Sequence, residues 1–222
     1  MRAILFDLDG TLIDSAHDIV QVCNQVAQEK GYSPLPLAGI NSLAGRGSRG
    51  IMASITNLPE ASTTVSELRL EVLDKYANCG YPNTSMFVEL RPLLSALNGS
   101  NLSWGVVTSK PRLHSLQILT QDTELSQFDV LIGIDDVAAP KPDPEGLLLA
   151  LEQLECKVQD AVFVGDNRVD MLAAKRIAMR CVGVGYGYCS QDDHPVNFDP
   201  DYYADTPADL ARLLFSLVER SE

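Results

Sequence analysis

The sequence predicts an α/β protein: a doubly wound, Rossmann-like parallel sheet core with an inserted small helical cap domain. Short apolar runs recur along the chain with helical stretches between them, and these runs are apolar throughout instead of alternating with polar residues. Such runs belong to strands buried on both faces, the condition of a parallel sheet covered by helices. The alternation fails once, between Leu12 and about Phe87, where no buried strand is legible and helical stripes take over.

The first run, Ala3-Ile4-Leu5-Phe6, leads directly into Asp7-Leu8-Asp9-Gly10-Thr11. Side chains two apart on an extended chain point the same way, so Asp7 and Asp9 are expected to face one spot at the carboxyl end of a buried strand. Two carboxylates so close repel each other unless a cation or a shared proton intervenes, and the pair asks for a metal.

The interval that follows opens at Ser15 to Asp18, which has the form of a capping box. The helix it starts carries the stripe Ile19, Cys23 and Val26 and closes near Gly31. A second stripe, Leu68, Val72 and Tyr76, ends before the breaker Gly80-Tyr81-Pro82. Residues 15–85 are therefore expected to form the helical cap domain, and residues 1–14 with 86–222 the α/β core. Within the cap, the stretch 44–50 reads as a loop with glycines at 45, 47 and 50 and arginines at 46 and 49. Glycines let backbone approach a ligand closely, and a guanidinium grips a carboxylate or phosphate through two parallel hydrogen bonds. Arg49 is the first candidate for a substrate contact and Arg46 the second; the alternative is a glycine-rich turn with solvated arginines.

Four further strands are expected at 104–107, 130–134, 161–164 and 181–184. Pro111, Pro144 and Pro207 stand where a first-turn proline is tolerated, and Thr206 with Asp209 resembles a capping box. In open α/β sheets ligands bind beyond the carboxyl ends of the strands, so the residues following each run are the informative ones. Thr108, Ser109 and Lys110 follow the second strand, and Gly165-Asp166-Asn167 follow the fourth, with Asp170 one helical turn beyond Asp166. Lys141 sits between them in the proline-stiffened stretch 139–144. Ser109 and Lys110 also fit a second reading, as residues that begin a helix.

Composition bounds the partners. The 222 residues, 45% hydrophobic and 21% charged, are those of an ordinary globular protein. A net charge of -13 repels nucleic acid and anionic membranes, which are not expected as partners. No apolar run is long enough to span a bilayer, and the amino terminus opens on a core-type strand in place of a signal peptide, so a cytoplasmic location is expected. The five cysteines are odd in number and form no Cys-x-x-Cys pair, which argues against disulfides and zinc. His17, His114 and His194 lie far apart and form no ligand motif.

On the strand-end residues, the chain resembles phosphatases of the haloacid dehalogenase superfamily. Asp7-Leu8-Asp9-Gly10-Thr11, Thr108, Lys141 and the stretch from Gly165 to Asp170 match its four motifs in order. Asp-x-Asp-Gly also occurs in calcium loops, but the rest of that pattern is missing here. The resemblance implies a Mg2+-dependent phosphomonoester hydrolase. Asp7 would attack phosphorus and form an aspartyl phosphate, and Asp9 would act first as acid and then as base. Thr108 and Lys141 would stabilise the transferring phosphoryl group, with Gly10 and Ser109 as further substrate contacts. Asp7, Asp166 and the main-chain carbonyl of Asp9 would hold Mg2+, while Asp170 would order a metal-bound water or position Lys141.

Within the superfamily, residues 9–19 and 107–111 are similar to phosphoglycolate phosphatases. Residues 68–71, Tyr76, 104–108 and 185–188 are similar to the bacterial phosphatases of N-acetylmuramic acid 6-phosphate. Both substrates pair a phosphate with a carboxylate, so one cap arginine could serve either. The expected substrate is a small acidic phosphometabolite, 2-phosphoglycolate first, with N-acetylmuramic acid 6-phosphate or another sugar phosphate as the alternative. The acid Asp9 is absent from dehalogenases that attack carbon. Asp9-Gly10-Thr11 departs from the Asp-Gly-Val of β-phosphoglucomutases, and neither Lys30 nor Lys75 has the setting of the Schiff-base lysine of phosphonate-cleaving members. Of other classes, a phospho-accepting receiver domain lacks the helical insert and the Asp166 and Asp170 pair, and a non-catalytic binding protein would not need all four motifs. A monomer or homodimer is expected.

Overall fold

The computed structural model describes residues 1–219. In chain order the elements are β1 (Ala3–Phe6), β2 (Ile13–Asp14), α1 (Ala16–Glu29), α2 (Ile40–Ala44), α3 (Gly47–Thr56), α4 (Thr63–Ala77) and β3 (Ser85–Met86). Then follow α5 (Arg91–Asn98), β4 (Ser103–Val107), α6 (Arg112–Leu119), β5 (Val130–Ile132), α7 (Glu145–Gln153), β6 (Ala161–Gly165), α8 (Arg168–Arg176), β7 (Arg180–Val184), β8 (Tyr202–Ala204) and α9 (Pro207–Glu219). The chain divides into two compact units: Met1–Ile13 together with the segment from Met86 onward, and Asp14–Ser85. None of the described helices is long and apolar enough to cross a membrane.

The first unit is the expected parallel sheet, in the order β5-β4-β1-β6-β7-β8. β1 lies at its centre, bonded to β4 on one side and β6 on the other, and its four residues are wholly buried. The chain grows outward from β1 through β4 to β5, then returns to β6 and grows the other way. The direction of winding therefore switches at β1, where a crevice opens beyond the strand ends. Ala3, Leu5 and Phe163 share one core with Leu147 and Leu151 of α7 and Met171 and Ala174 of α8. Ile4 and Phe6 point to the opposite face. There Phe6 meets Trp104 edge to face, with ring centroids 6.2 Å apart. The indole N–H of Trp104 donates to Asn98 Oδ1 (2.7 Å), so its burial leaves no orphaned donor. Each fully buried Leu, Ile or Phe on these faces contributes about 1.5–3 kcal/mol.

Two strand expectations are corrected. The run 130–134 stops pairing at Ile132, because Gly133 N–H bonds the Asp136 carboxylate (2.8 Å) and starts a tight turn. β8 was not legible: two half-buried tyrosines and a buried alanine at the sheet edge, behind Asp201, make no apolar run.

The second unit packs α1 against α2, α3 and α4. The stripes Ile19, Cys23, Val26 and Leu68, Val72, Tyr76 are its buried positions. The capping-box expectation at Ser15 fails. The Ser15 side chain makes no cap bond, and Asp14 Oδ1 receives the Ala16 N–H instead (3.3 Å). Asp18 is taken by Asn83 and Thr84, accepting from Asn83 Nδ2 (2.8 Å) and Thr84 Oγ1 (2.7 Å). By contrast, Thr206 Oγ1 accepts the Asp209 N–H at the start of α9 (3.1 Å). The stretch 44–50 is also not a loop, since it closes α2 and begins α3. Burial of Ile51 and Met52 outweighs the poor helix propensity of Gly47 and Gly50 in α3.

Candidate active site

The turn after β1 builds the site. Asp7 N–H donates to the Val164 carbonyl (2.8 Å), holding Asp7 in strand register beside β6. The chain then bends at Leu8, whose carbonyl receives the N–H groups of Thr11, Leu12 and Ile13 (3.3, 3.0 and 3.1 Å). Gly10 takes φ +79°, a conformation that costs a residue with a Cβ. The backbone between Asp7 and Asp9 is thus bent and not a continuous strand, yet the Asp9 charge still reaches the Asp7 carboxyl. The Asp9 carboxylate pairs with Lys110 Nζ (3.1 Å).

Asp7 finds its carboxylate neighbours at other strand ends. Oxygens of Asp7, Asp166 and Asp170 all lie within 4.8 Å of one another, and all three residues are buried. Lys141 enters this cluster with 5% of its side chain exposed and donates to Asp7 Oδ1 (2.8 Å), Asp170 Oδ1 (2.7 Å) and the Val107 carbonyl (3.1 Å). Its ammonium thus has three oxygen acceptors for three donor hydrogens. The other oxygen of Asp170 receives the Asn167 N–H (3.1 Å) at the start of α8. Asp170 thus holds Lys141 and the helix start, while its oxygens stay close enough to those of Asp7 and Asp166 for all three to face one cation.

Electrostatics follow from this crowding. Burial pushes the Asp7 carboxyl up to about 6; Lys141 opposes the rise and the charges of Asp170 and Asp9 add to it. Asp166 is driven well above the usual carboxylate range, first by burial and then by Asp170 and Asp7. Burial alone would lower Lys141, but the charges of Asp170 and Asp7 outweigh it and hold the ammonium above its usual range. No salt bridge among the described residues reaches Asp166. Three buried carboxylates against one ammonium, offering only oxygen donors, fit a hard divalent cation such as Mg2+.

The loop after β7 fixes Asp166. Tyr188 N–H donates to Asp166 Oδ2 (2.5 Å), and a Cβ on Gly187 would stand 2.6 Å from Asp166 Cγ. A Cβ on Gly10 would also press on Asp166 Oδ2 and would lie 3.0 Å from the Tyr188 ring. Tyr186 ties the loop back by donating its hydroxyl to the Thr11 carbonyl (2.8 Å), its ring packed on Phe87 (centroids 4.9 Å apart). The strand-end rule, applied to the run 181–184, points to this Gly-Tyr-Gly-Tyr stretch; it also points to Lys110 after the second strand, but not to its pairing with Asp9.

Thr108 stands at the carboxyl end of β4, 5% exposed, with its N–H on the Ile132 carbonyl (2.9 Å). Its Oγ1 accepts the Lys110 N–H (3.2 Å), which leaves the hydroxyl hydrogen to donate elsewhere. Ser109 is exposed, and α6 starts behind Pro111, so Ser109 does not cap it. Arg46 and Arg49 belong to the other compact unit. There Arg49 Nη1 donates to the Glu60 carbonyl (2.9 Å) and Ser66 Oγ (3.3 Å), and Arg46 Nη1 donates to Ser54 Oγ (2.6 Å).

Residues 4–184 match the family model of haloacid dehalogenase-like hydrolases. The chain is 32% identical over 216 residues to an N-acetylmuramic acid 6-phosphate phosphatase of Pseudomonas putida, covering 97% of both chains. It is 34% identical over 210 residues to a phosphoglycolate phosphatase of Xanthomonas campestris pv. campestris, covering 94% of both. Among solved structures, a haloacid dehalogenase-like family hydrolase from Streptococcus pneumoniae superposes with a TM-score of 0.80 at 24% identity. That match covers 96% of this chain and 98% of the other, a likeness of fold.

Proposed function

We propose, from the premise that the chain belongs to the haloacid dehalogenase-like hydrolase family as an enzyme of its phosphatase branch, that it hydrolyses small acidic phosphate monoesters through a phosphoryl-Asp7 intermediate. The observation that carries this reading is the buried constellation of Asp7, Asp166 and Asp170 around one fully engaged lysine. Lys141 holds Asp7 Oδ1, leaving Oδ2 to attack phosphorus. As the bond from Oδ2 to phosphorus forms, the ester bond breaks and Asp9 gives its proton to the departing oxygen. Asp9 then takes a proton from water, which attacks the aspartyl phosphate and releases inorganic phosphate and the free Asp7 carboxylate. Charge moves onto the phosphoryl oxygens during transfer; the free hydroxyl hydrogen of Thr108 is the fixed donor suited to it, while the Lys141 ammonium, its hydrogens held by Asp7, Asp170 and the Val107 carbonyl, contributes its nearby positive charge. Mg2+ held by Asp7, Asp166 and the Asp9 carbonyl would supply neutralisation of the phosphate and the nearby carboxylates. Gly10 and Ser109 are assigned to substrate contact through backbone and hydroxyl.

For the substrate we put 2-phosphoglycolate first. N-acetylmuramic acid 6-phosphate is the second reading, favoured by the 32% identity over 97% of both chains with a phosphatase so named. The test is phosphate release across phosphoglycolate, amino-sugar phosphates, sugar phosphates and nucleotides with Mg2+, ranked by kcat/KM. No release from any of them would reject the phosphatase reading, and a neutral sugar phosphate at the top of the ranking would reject the acidic substrate. Arg49 is assigned to the substrate carboxylate. Arg49→Ala should raise KM for the acidic substrate about tenfold while leaving KM for p-nitrophenyl phosphate nearly unchanged; equal losses on both would remove Arg49 from that role.

A further inference from the structure

Lys110 is a buried lysine that the four motif positions leave unexplained. Only 6% of its side chain is exposed, and its Nζ lies 3.1 Å from Asp9 Oδ1. Its backbone is fixed on both sides: the N–H is held by Thr108 Oγ1 (3.2 Å), and the carbonyl receives the Ile134 N–H (3.1 Å). Burying an ammonium costs several kcal/mol unless a partner offsets it, so this placement is expensive for a surface-type residue. The two site lysines divide the carboxylates between them. Lys141 takes Asp7 and Asp170, while Lys110 takes Asp9.

We propose that Lys110 is a positioning residue that fixes the Asp9 carboxyl group in one orientation for both proton transfers. The inference rests on the acid and base role assigned to Asp9 above. Asp9 must serve the departing oxygen in the first half of the reaction and the entering water in the second. A carboxyl group 22% exposed, on a tight turn, has freedom to swing between rotamers. A buried ammonium, on a side chain 6% exposed whose backbone is held on both sides, removes that freedom before substrate arrives, and a misplacement of about 1 Å in a catalytic group costs about a hundredfold in rate. Lys110 thus acts through Asp9, without touching the reacting atoms.

A double-mutant cycle with two leaving groups tests this. General-acid help matters for an alkoxide leaving group and little for p-nitrophenolate, which departs without a proton. Lys110→Met should lower kcat/KM, which reports formation of the aspartyl phosphate, about 30-fold or more for an alkyl phosphate and only a few-fold for p-nitrophenyl phosphate, while hydrolysis of the aspartyl phosphate, common to both, slows equally with either. Lys110→Arg should recover part of the alkyl phosphate kcat/KM. In an Asp9→Asn background, adding Lys110→Met should change kcat/KM less than threefold, because the group it orients is already disabled. A full further loss in that background, or equal losses of kcat/KM on both substrates, would overturn the proposal. The Asp9→Asn single variant separates the two levels. If it shows no leaving-group dependence, the acid role itself fails; if it does and Lys110→Met does not, only the role of Lys110 fails. Circular dichroism and urea midpoints of all variants identify any that owe their loss to misfolding.

Discussion

At the scale of single residues, the site is a balance of charges that water would normally screen. Lys141 carries the most consequence because two buried carboxylates lean on it. Lys141→Met would leave Asp7 and Asp170 in a buried setting with no ammonium, and removing one partner of a buried ion pair costs about 3–5 kcal/mol. Asp7→Asn removes charge from the crowded side of the balance, so its Mg2+-free stability should equal or exceed that of the parent. Both variants should lose turnover, since one lacks the nucleophile and the other its orienting donor. Urea unfolding in EDTA should separate them, with the Lys141→Met midpoint far below that of the parent and the Asp7→Asn midpoint at or above it. Equal midpoints for the two would mean that the ion pairs do not hold the cluster together.

At the scale of elements, the strand ends explain why the sheet was legible and parts of the site were not. β1, β4, β6 and β7 are continuous apolar runs because both faces are covered, and that pattern survives in sequence. β8 is a short edge triplet with only Ala204 buried and leaves no such trace. The start of α3 was obscured by Gly47 and Gly50, whose low helix propensity is overridden by tertiary burial. The acidic residues and Lys141 could be found because they follow strands or sit between prolines. The pairing of Lys110 with Asp9 depends on a bend at Leu8 that no periodicity encodes. The loop after β7 supports Asp166 by backbone and by the absence of side chains. Gly187→Ala would place a methyl group against Asp166, and partners that orient a ligating residue are worth about 10–100-fold in metal affinity. Calorimetric titration with Mg2+ should show a weakening in that range while the sheet's circular dichroism is kept. An unchanged Mg2+ affinity would mean that the carboxylate relaxes freely and that the loop has no part in placing it.

At the scale of the whole molecule, the buried acids tie stability to both pH and metal. The Asp7 carboxyl is raised from 3.8 to about 6 in the folded protein, mainly by burial, and Asp166 is raised in the same sense. Between the unfolded and folded values the native state holds protons that the unfolded chain has released. The contribution of these two groups to stability is therefore fully present below that window and falls as pH rises through it. For Asp7 alone the loss is about 3 kcal/mol, or roughly 6–12 °C in Tm for a chain of this size. The net charge of -13 works in the same direction, since self-repulsion also grows as carboxyl groups ionise. Two controls separate the contributions. A Mg2+ ion held as proposed would bind the ionised carboxylates of the folded state alone, so saturating Mg2+ should restore Tm at pH 8 far more than at pH 4.5, whereas an ionic-strength control with sodium chloride should not. Asp7→Asn removes one titrating group from the site while changing the surface charge little, so its Mg2+-free Tm should fall less steeply between pH 4.5 and 7.5. If the parent and Asp7→Asn lose Tm in parallel across that window, the decline belongs to the acidic surface and the crowded carboxylates do not store the energy assigned to them.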